Sequence, residues 1–222
     1  MISSTPSRGQ RPSEGDQYHH GDLRRALVCA ALEVLNTQGV EAISLRDVAR
    51  RAGVSHAAPY RHFADKQALL HAMALAGFED LRLRLLAARD ASNADPVERL
   101  RALLKAYQAF GSAQAHQLNL MFGAAVVDKP PELEALALET FAVLVQAVSD
   151  AFATGASPAQ AQNQDPARAI ALSLWAHVHG LFVLGRQVDF TALNPASKPS
   201  TVLEASIDLI VDALSKAWLG QR

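Results

Sequence analysis

The stretch Ser44–Phe63, SLRDVARRAGVSHAAPYRHF, decides the fold. Ser44 is placed to cap a short helix, and Asp47, three residues on, can return the bond in a variant of the capping box. Leu45, Val48, Ala49 and Ala52 fall at the spacing of one buried helix face. Ala49 is small, which lets a second helix approach closely. Gly53 supplies the tight turn, Val54 fills the angle between the two helices, and Ser55 caps a second short helix ending near His62. This is the layout of a helix-turn-helix, in which the second helix enters the major groove of DNA.

Composition bounds the reading without deciding it. With 222 residues, half of them hydrophobic, the chain can bury a substantial core in one large or two small domains. No run of 18 or more uncharged apolar residues occurs, and the N-terminus lacks a basic start followed by an apolar stretch. Neither a membrane span nor a secretory signal is therefore expected. Cys29 is the sole cysteine, which excludes an intrachain disulfide and fits a reducing cytoplasm. The net charge of −1 does not by itself suggest a nucleic-acid partner. Its distribution is more informative: residues 1–66 hold nine Lys/Arg against seven Asp/Glu, and residues 67–222 hold twelve against fifteen. A weakly basic head on an acidic body suits a protein whose DNA contact lies at one end.

Residues 1–17 are polar and rich in Ser, Pro and Gly, and read as a disordered arm. Arg8 and Arg11 are placed to reach a minor groove, although a plain solvated tail is the simpler reading. A first helix is expected from Asp22 to Gln38, with Leu23, Leu27, Ala30, Val34 and Leu35 inward and Gly39 ending it. Cys29 reads as a small packed residue and the adjacent His19 and His20 as surface or phosphate-near groups. Past the motif, Asp65 caps a long helix to about Arg89. Asp95-Pro96-Val97-Glu98 starts another, to about His116, followed by a short one over 118–126. Further helices are expected over 132–153, from Asp165-Pro166 to about Arg186, and from Ser200 to about Leu219. Polar loops at 154–165 and 187–199 separate them. No strand is convincing, so the fold class is all-α with about nine helices. Its division is an arm (1–17), a three-helix DNA-binding domain (18–64) and a larger helical domain (65–222). The last two helices carry broad apolar faces that need a partner surface, within one subunit or across a two-fold axis.

The run VSHAAPYRHFADKQALL resembles the TetR family of bacterial transcriptional regulators. Tyr60, His62 and Phe63 match its Tyr-x-His-Phe run, and Asp65-Lys66 the acid–lysine pair opening the next helix. Pro59 departs from the pattern, standing where an aliphatic residue is commoner. Trp175…His179-Gly180 resembles the Trp…His-Gly signature of one class of TetR C-terminal domain. The resemblance implies a cytoplasmic homodimer paired through its last two helices. It also implies two heads on a palindromic double-stranded DNA operator, and release by a small-molecule effector. It implies neither a cofactor nor catalysis.

From helix position and resemblance together, His56, Ala57 and Ala58 face base edges at the start of the recognition helix, next to Ser55. Tyr60 and His62 look like the family's DNA-backbone pair. Arg46, Arg51, Arg61 and Lys66 are placed to neutralise phosphates. Phe63 reads as core. For the effector, Tyr107, Phe110, His116, Met121, Phe122, Trp175, His177 and His179 are candidate lining residues, an apolar set with a few polar groups. An enzymatic or metal-binding protein built on His177 and His179 is the competing class. Residues two apart on a helix point about 200° away from each other, which opposes a shared ion. A ligand-independent DNA binder is the other alternative, and the large C-terminal body disfavours it.

Overall fold

The computed structural model describes residues 14–91, 95–152, 166–188 and 199–219, with side chains over 23–91, 95–152, 166–188 and 202–217. Eight α-helices occur among them: α1 (Glu14–Gln38), α2 (Leu45–Arg51), α3 (Lys66–Ala91), α4 (Pro96–Ala113), α5 (Ala115–Phe122), α6 (Pro131–Phe152), α7 (Pro166–Gln187) and α8 (Pro199–Leu219). Two 3₁₀ turns, Val40–Ala42 and Pro59–Arg61, complete the set, and no strand occurs among the described residues. The all-α expectation stands. The expected contacts of Arg8 and Arg11, and the loop at 154–165, lie outside the described residues.

The chain divides into two compact units after Leu69, and α3 is continuous across the division. In the first unit, Leu27, Ala31, Val34 and Leu35 of α1 are buried, as are Leu45, Val48 and Ala49 of α2 and the Phe63 ring. The Arg24 guanidinium lies 5.3 Å from the centroid of that ring. Helix α1 starts at Glu14, eight residues before the expected Asp22, so residues 14–17 are helical rather than part of an arm. No proline falls between Glu14 and Gln38, and extending a nucleated helix costs little per residue. Cys29 is exposed, not packed: it lies off the buried stripe of α1.

The second unit is built on α4, which packs against α6, α7 and α8. Leu100, Leu103, Leu104 and Phe110 of α4 are buried, with Leu133 and Val148 of α6, Leu174 and Val178 of α7, and Ile207 and Val211 of α8. Helix α4 opens on the expected cap, Asp95 accepting from the amides of Val97 and Glu98 at 2.8 and 3.2 Å. It ends at Ala113, three residues before the expected His116, and the side-chain amide of the capping residue Gln114 donates to Asp80 of α3 at 2.6 Å. The short helix expected over 118–126 is α5, and it runs over Ala115–Phe122. Its Met121 and Gln117 press on Gly77 of α3, where a Cβ would stand 2.6 Å from the Met121 sulfur.

Helix α8 is fastened to α4 by charge. Arg101, only 14 % exposed, donates to Asp208 at 2.8 Å and Asp212 at 2.7 Å, and Lys105 sits 3.0 Å from Asp208. A hydrogen bond to a charged group contributes about 1.5–3 kcal/mol, and the half-exposed aspartates reduce that. Arg101→Met should therefore cost about 1–2 kcal/mol, read as a lower urea midpoint at unchanged m-value. An unshifted midpoint would mean the network contributes nothing.

Helices α6 and α7 are each long and apolar enough to cross a membrane by length and composition. Their buried faces are occupied by the body: α6 packs on α4 and α7, and α7 on α8.

Candidate nucleic-acid interface and effector cavity

The motif begins with the expected cap. The Asp47 amide donates to Ser44 Oγ at 3.1 Å, and the Ser44 hydroxyl donates to the Asp47 carboxylate at 2.7 Å. That hydroxyl, with Arg50 nearby, holds the Asp47 carboxyl below its usual range. Helix α2 ends in a Schellman motif: Val54 N–H donates to Ala49 O and Gly53 N–H to Arg50 O. Gly53 adopts φ 71°, the left-handed region that a side chain disfavours.

The second helix of the motif differs from expectation. Residues 56–58 form a turn, and Pro59–Arg61 a single 3₁₀ turn. Pro59 has no N–H, so the α-helical bond back to Ser55 O cannot form, and that carbonyl accepts from Ala58 N–H instead. Buried Pro59 points inward, leaving Ser55, His56, Ala57, Tyr60 and Arg61 exposed and Ala58 partly so. Tyr60 is 60 % exposed, a large aromatic ring on a surface that nothing in the first unit covers. His62 is half-buried, its ring tilted against Phe63 at 6.5 Å.

The cations around this turn differ in their engagements. Arg46 and Arg61 are exposed, whereas Arg51 reaches Glu33 at 3.5 Å. Lys66 Nζ lies 3.4 Å from the Glu41 carbonyl. Asp65 caps α3, accepting from Ala68 N–H at 2.8 Å, so Lys66 occupies the first helical position at the positive end of that helix.

In the second unit a cavity of about 570 Å³ is walled by α3, α4, α6 and α7, with Phe122 from α5. Tyr107, Phe122 and Trp175 of the sequence candidates line it. The other five do not. Phe110 is fully buried beside Arg84, Met121 packs on Gly77, and His116 is exposed. His177 bonds Ser206 Oγ of α8 at 2.8 Å. His179 lies one layer behind the wall, its Nδ1 2.7 Å from the Tyr107 hydroxyl, which accepts from Trp175 Nε1–H at 3.1 Å. The two histidines thus serve different neighbours, and no group of three or more His, Cys, Asp or Glu is placed to hold a metal among the described residues.

Most of the lining residues are not among those candidates. Phe78, Leu81 and Leu85 of α3, Phe141 and Leu144 of α6, and Arg168 and Leu172 of α7 all line the cavity. The spacing of the α3 residues marks one helix face but does not say whether that face meets core or cavity.

The Tyr107 hydroxyl oxygen accepts from Trp175 Nε1–H and lies within hydrogen-bond distance of His179 Nδ1, a contact that either tautomer of a neutral imidazole can make. Burial holds the His179 imidazole below its usual pKa and raises that of the Tyr107 phenol. As pH falls through about 6.5, the unfolded chain takes up a proton at His179 that the folded chain refuses. Stability from the neutral ring is complete above that pH and declines below it. Between pH 7.5 and 5.5 the urea midpoint of the wild type should fall further than that of His179→Gln. Equal falls would remove His179 as the titrating group.

This architecture is that of a helix-turn-helix head on a helical body with an internal cavity, the make-up of a DNA-binding transcriptional regulator. Residues 27–73 match the family model described as bacterial regulatory proteins, tetR family, and residues 100–214 match the tetracyclin repressor-like C-terminal domain. The chain belongs to the TetR family. Over 82 residues it is 42 % identical to the HTH-type transcriptional regulator BetI of Rhizobium meliloti (strain 1021), a match covering 37 % of this chain and 40 % of that protein. The tetracycline repressor protein class C of Escherichia coli is 47 % identical over 51 residues, 23 % of each chain. The chain thus spans less than half the length of these curated relatives. A solved structure, that of a protein with unknown function from Rhodococcus sp. RHA1, matches over 90 % of this chain and 97 % of its own, with 31 % identity and a TM-score of 0.73.

Proposed function

We propose that the protein is a repressor that leaves a palindromic operator when a small, largely apolar ligand fills the cavity of the second unit. The observation that carries this reading is the position of α3. Its residues Phe78, Leu81 and Leu85 form one wall of the cavity, and the same unbroken helix starts at Lys66, three residues past the motif. A ligand that binds better to one placement of α3 shifts the population of head positions, and a ligand indifferent to α3 shifts nothing. Residues 18–64 form the DNA-binding part in this reading, 65–222 the effector-binding and dimerising part, and the site of action is the cytoplasm.

His56, Ala57 and Ala58, beside Ser55, read base edges. Tyr60 and His62 contact the DNA backbone, and Arg46, Arg51, Arg61 and Lys66 neutralise phosphates. Two subunits pair through α7 and α8, whose outer faces carry Ala176 and Leu184, and Ala205, Leu209 and Ala213, all exposed. No Cβ obstacle lies within 4 Å of Gly180 on the same outer face of α7, which favours close helix approach.

Fluorescence anisotropy on operator DNA tests the head. Tyr60→Ala should weaken binding roughly tenfold, the loss of one backbone hydrogen bond and its packing. Lys66→Ala should lower the slope of log K against log salt by about one unit. Unchanged affinity in both variants would overturn this docking.

A further inference from the structure

We infer that the cavity takes a ligand whose buried end is an apolar aromatic ring system, bound in preference to a saturated ring of the same skeleton. This rests on the effector reading above and gives the ligand its chemical class.

Each helix from α3 to α7 contributes one aromatic side chain to the wall: Phe78, Tyr107, Phe122, Phe141 and Trp175. Four of these rings form a continuous chain. Phe78 meets Phe122 with centroids 5.4 Å apart at 79°, Phe122 meets Trp175 at 5.3 Å and 52°, and Trp175 meets Phe141 at 5.8 Å and 51°. Every pair in the chain is tilted, so ring faces and ring edges alternate along the wall. A face is electron-rich and an edge electron-poor, and aromatic pairs favour offset or edge-to-face contact at such separations. A flat aromatic ligand offers both kinds of surface. A saturated ring offers C–H bonds on every side and no electron-rich face. Phe122, Phe141 and Trp175 are only half-buried, which leaves ring surface for a ligand to cover.

The hydrogen-bonding groups beside these rings have protein partners. Trp175 Nε1–H donates to the Tyr107 oxygen at 3.1 Å, the Tyr107 hydroxyl lies 2.7 Å from His179 Nδ1, and the Thr140 hydroxyl donates to Leu136 O at 2.7 Å. A polar ligand group placed among them would have to break into these bonds or go unpaired away from water. Leu138 and Leu172, both lining and both more than half exposed, mark the mouth, where a polar tail keeps its hydration. The volume of about 570 Å³ lies within the roughly 300–1,000 Å³ of small-molecule sites.

The test titrates the full-length protein by calorimetry with 2-(naphthalen-2-yl)ethanol and 2-(decahydronaphthalen-2-yl)ethanol, each below its solubility limit. The two share one carbon skeleton and one hydroxyl. Both are uncharged, so no ion pair with the lining residue Arg168 enters the comparison. The saturated compound carries more hydrogens and more apolar surface, so transfer out of water alone favours it. Wild type should nonetheless bind the naphthyl compound about threefold or more tighter. Phe122→Leu and Phe141→Leu should each reduce that preference by about twofold or more, chiefly by weakening the naphthyl compound. A wild type that binds the saturated compound as tightly as the aromatic one overturns the inference and leaves the effector cavity standing. A preference undiminished in both variants does the same. Failure of both compounds to bind a protein that still melts cooperatively overturns both.

Discussion

Phe63→Ala should unfold the first unit and leave the second helical. Phe63 is 2 % exposed, packed beneath Arg24, and it closes the motif after the Pro59 turn. Truncating a buried Phe to Ala costs about 3–5 kcal/mol. Small units bury a smaller share of their surface, and whole domains hold only about 5–15 kcal/mol. A loss of this size takes most of what the head has. In hydrogen exchange, amides of α2 and the C-terminal half of α1 should lose protection by a factor of at least about a hundred, and those of α4, α6 and α7 should keep theirs. DNA binding should vanish with the head. Retained protection across Leu27–Phe63 would show that this ring is not the keystone of the head.

The second large effect is expected from breaking the proposed two-fold pairing. Leu209 is 72 % exposed, the most exposed large apolar side chain among the described residues, and Ala176 lies on the outer face of the neighbouring helix. Placing a charge in an apolar contact strands it without water or partner. Ala176→Arg combined with Leu209→Arg should sediment as a monomer at micromolar concentration, with the helical content of the wild type. Two linked heads gain roughly 10²–10⁴ in affinity over one, so operator binding should fall by at least about a hundredfold. Both positions are exposed in the single subunit, so a folded monomer is the expected product. A double variant that remains dimeric would move the interface elsewhere.

The head was legible because its signals are local. Ser44, Asp47 and Gly53 each have a conformational job that few other residues do, and the structure uses all three. The same is true of Asp65 and Asp95 as caps. Pro59 was visible in the sequence, but its consequence was not: without an N–H it cannot close the α-type bond to Ser55 O, and Pro59–Arg61 is a single 3₁₀ turn. The cavity was legible only in part. Tyr107, Phe122 and Trp175 announce themselves as large aromatics on consecutive helices, and they converge. Phe110 and Met121 look the same in sequence and pack into core instead, since periodicity gives a face and not what the face meets. His177 and His179 were separated correctly by helix geometry, and their partners, Ser206 and Tyr107, lie too far along the chain for spacing to suggest them.

In the proposed function the turn at Ser55–His62 reads duplex DNA from a two-fold assembly. Selection from a random pool of DNA duplexes tests it most directly, with wild type and Tyr60→Ala run in parallel at matched salt. The wild type should enrich an inverted repeat whose half-sites lie about one helical turn, or a multiple, apart. Tyr60→Ala should enrich the same repeat more weakly. An unenriched pool, or a single asymmetric site selected equally by both proteins, would contradict the claim.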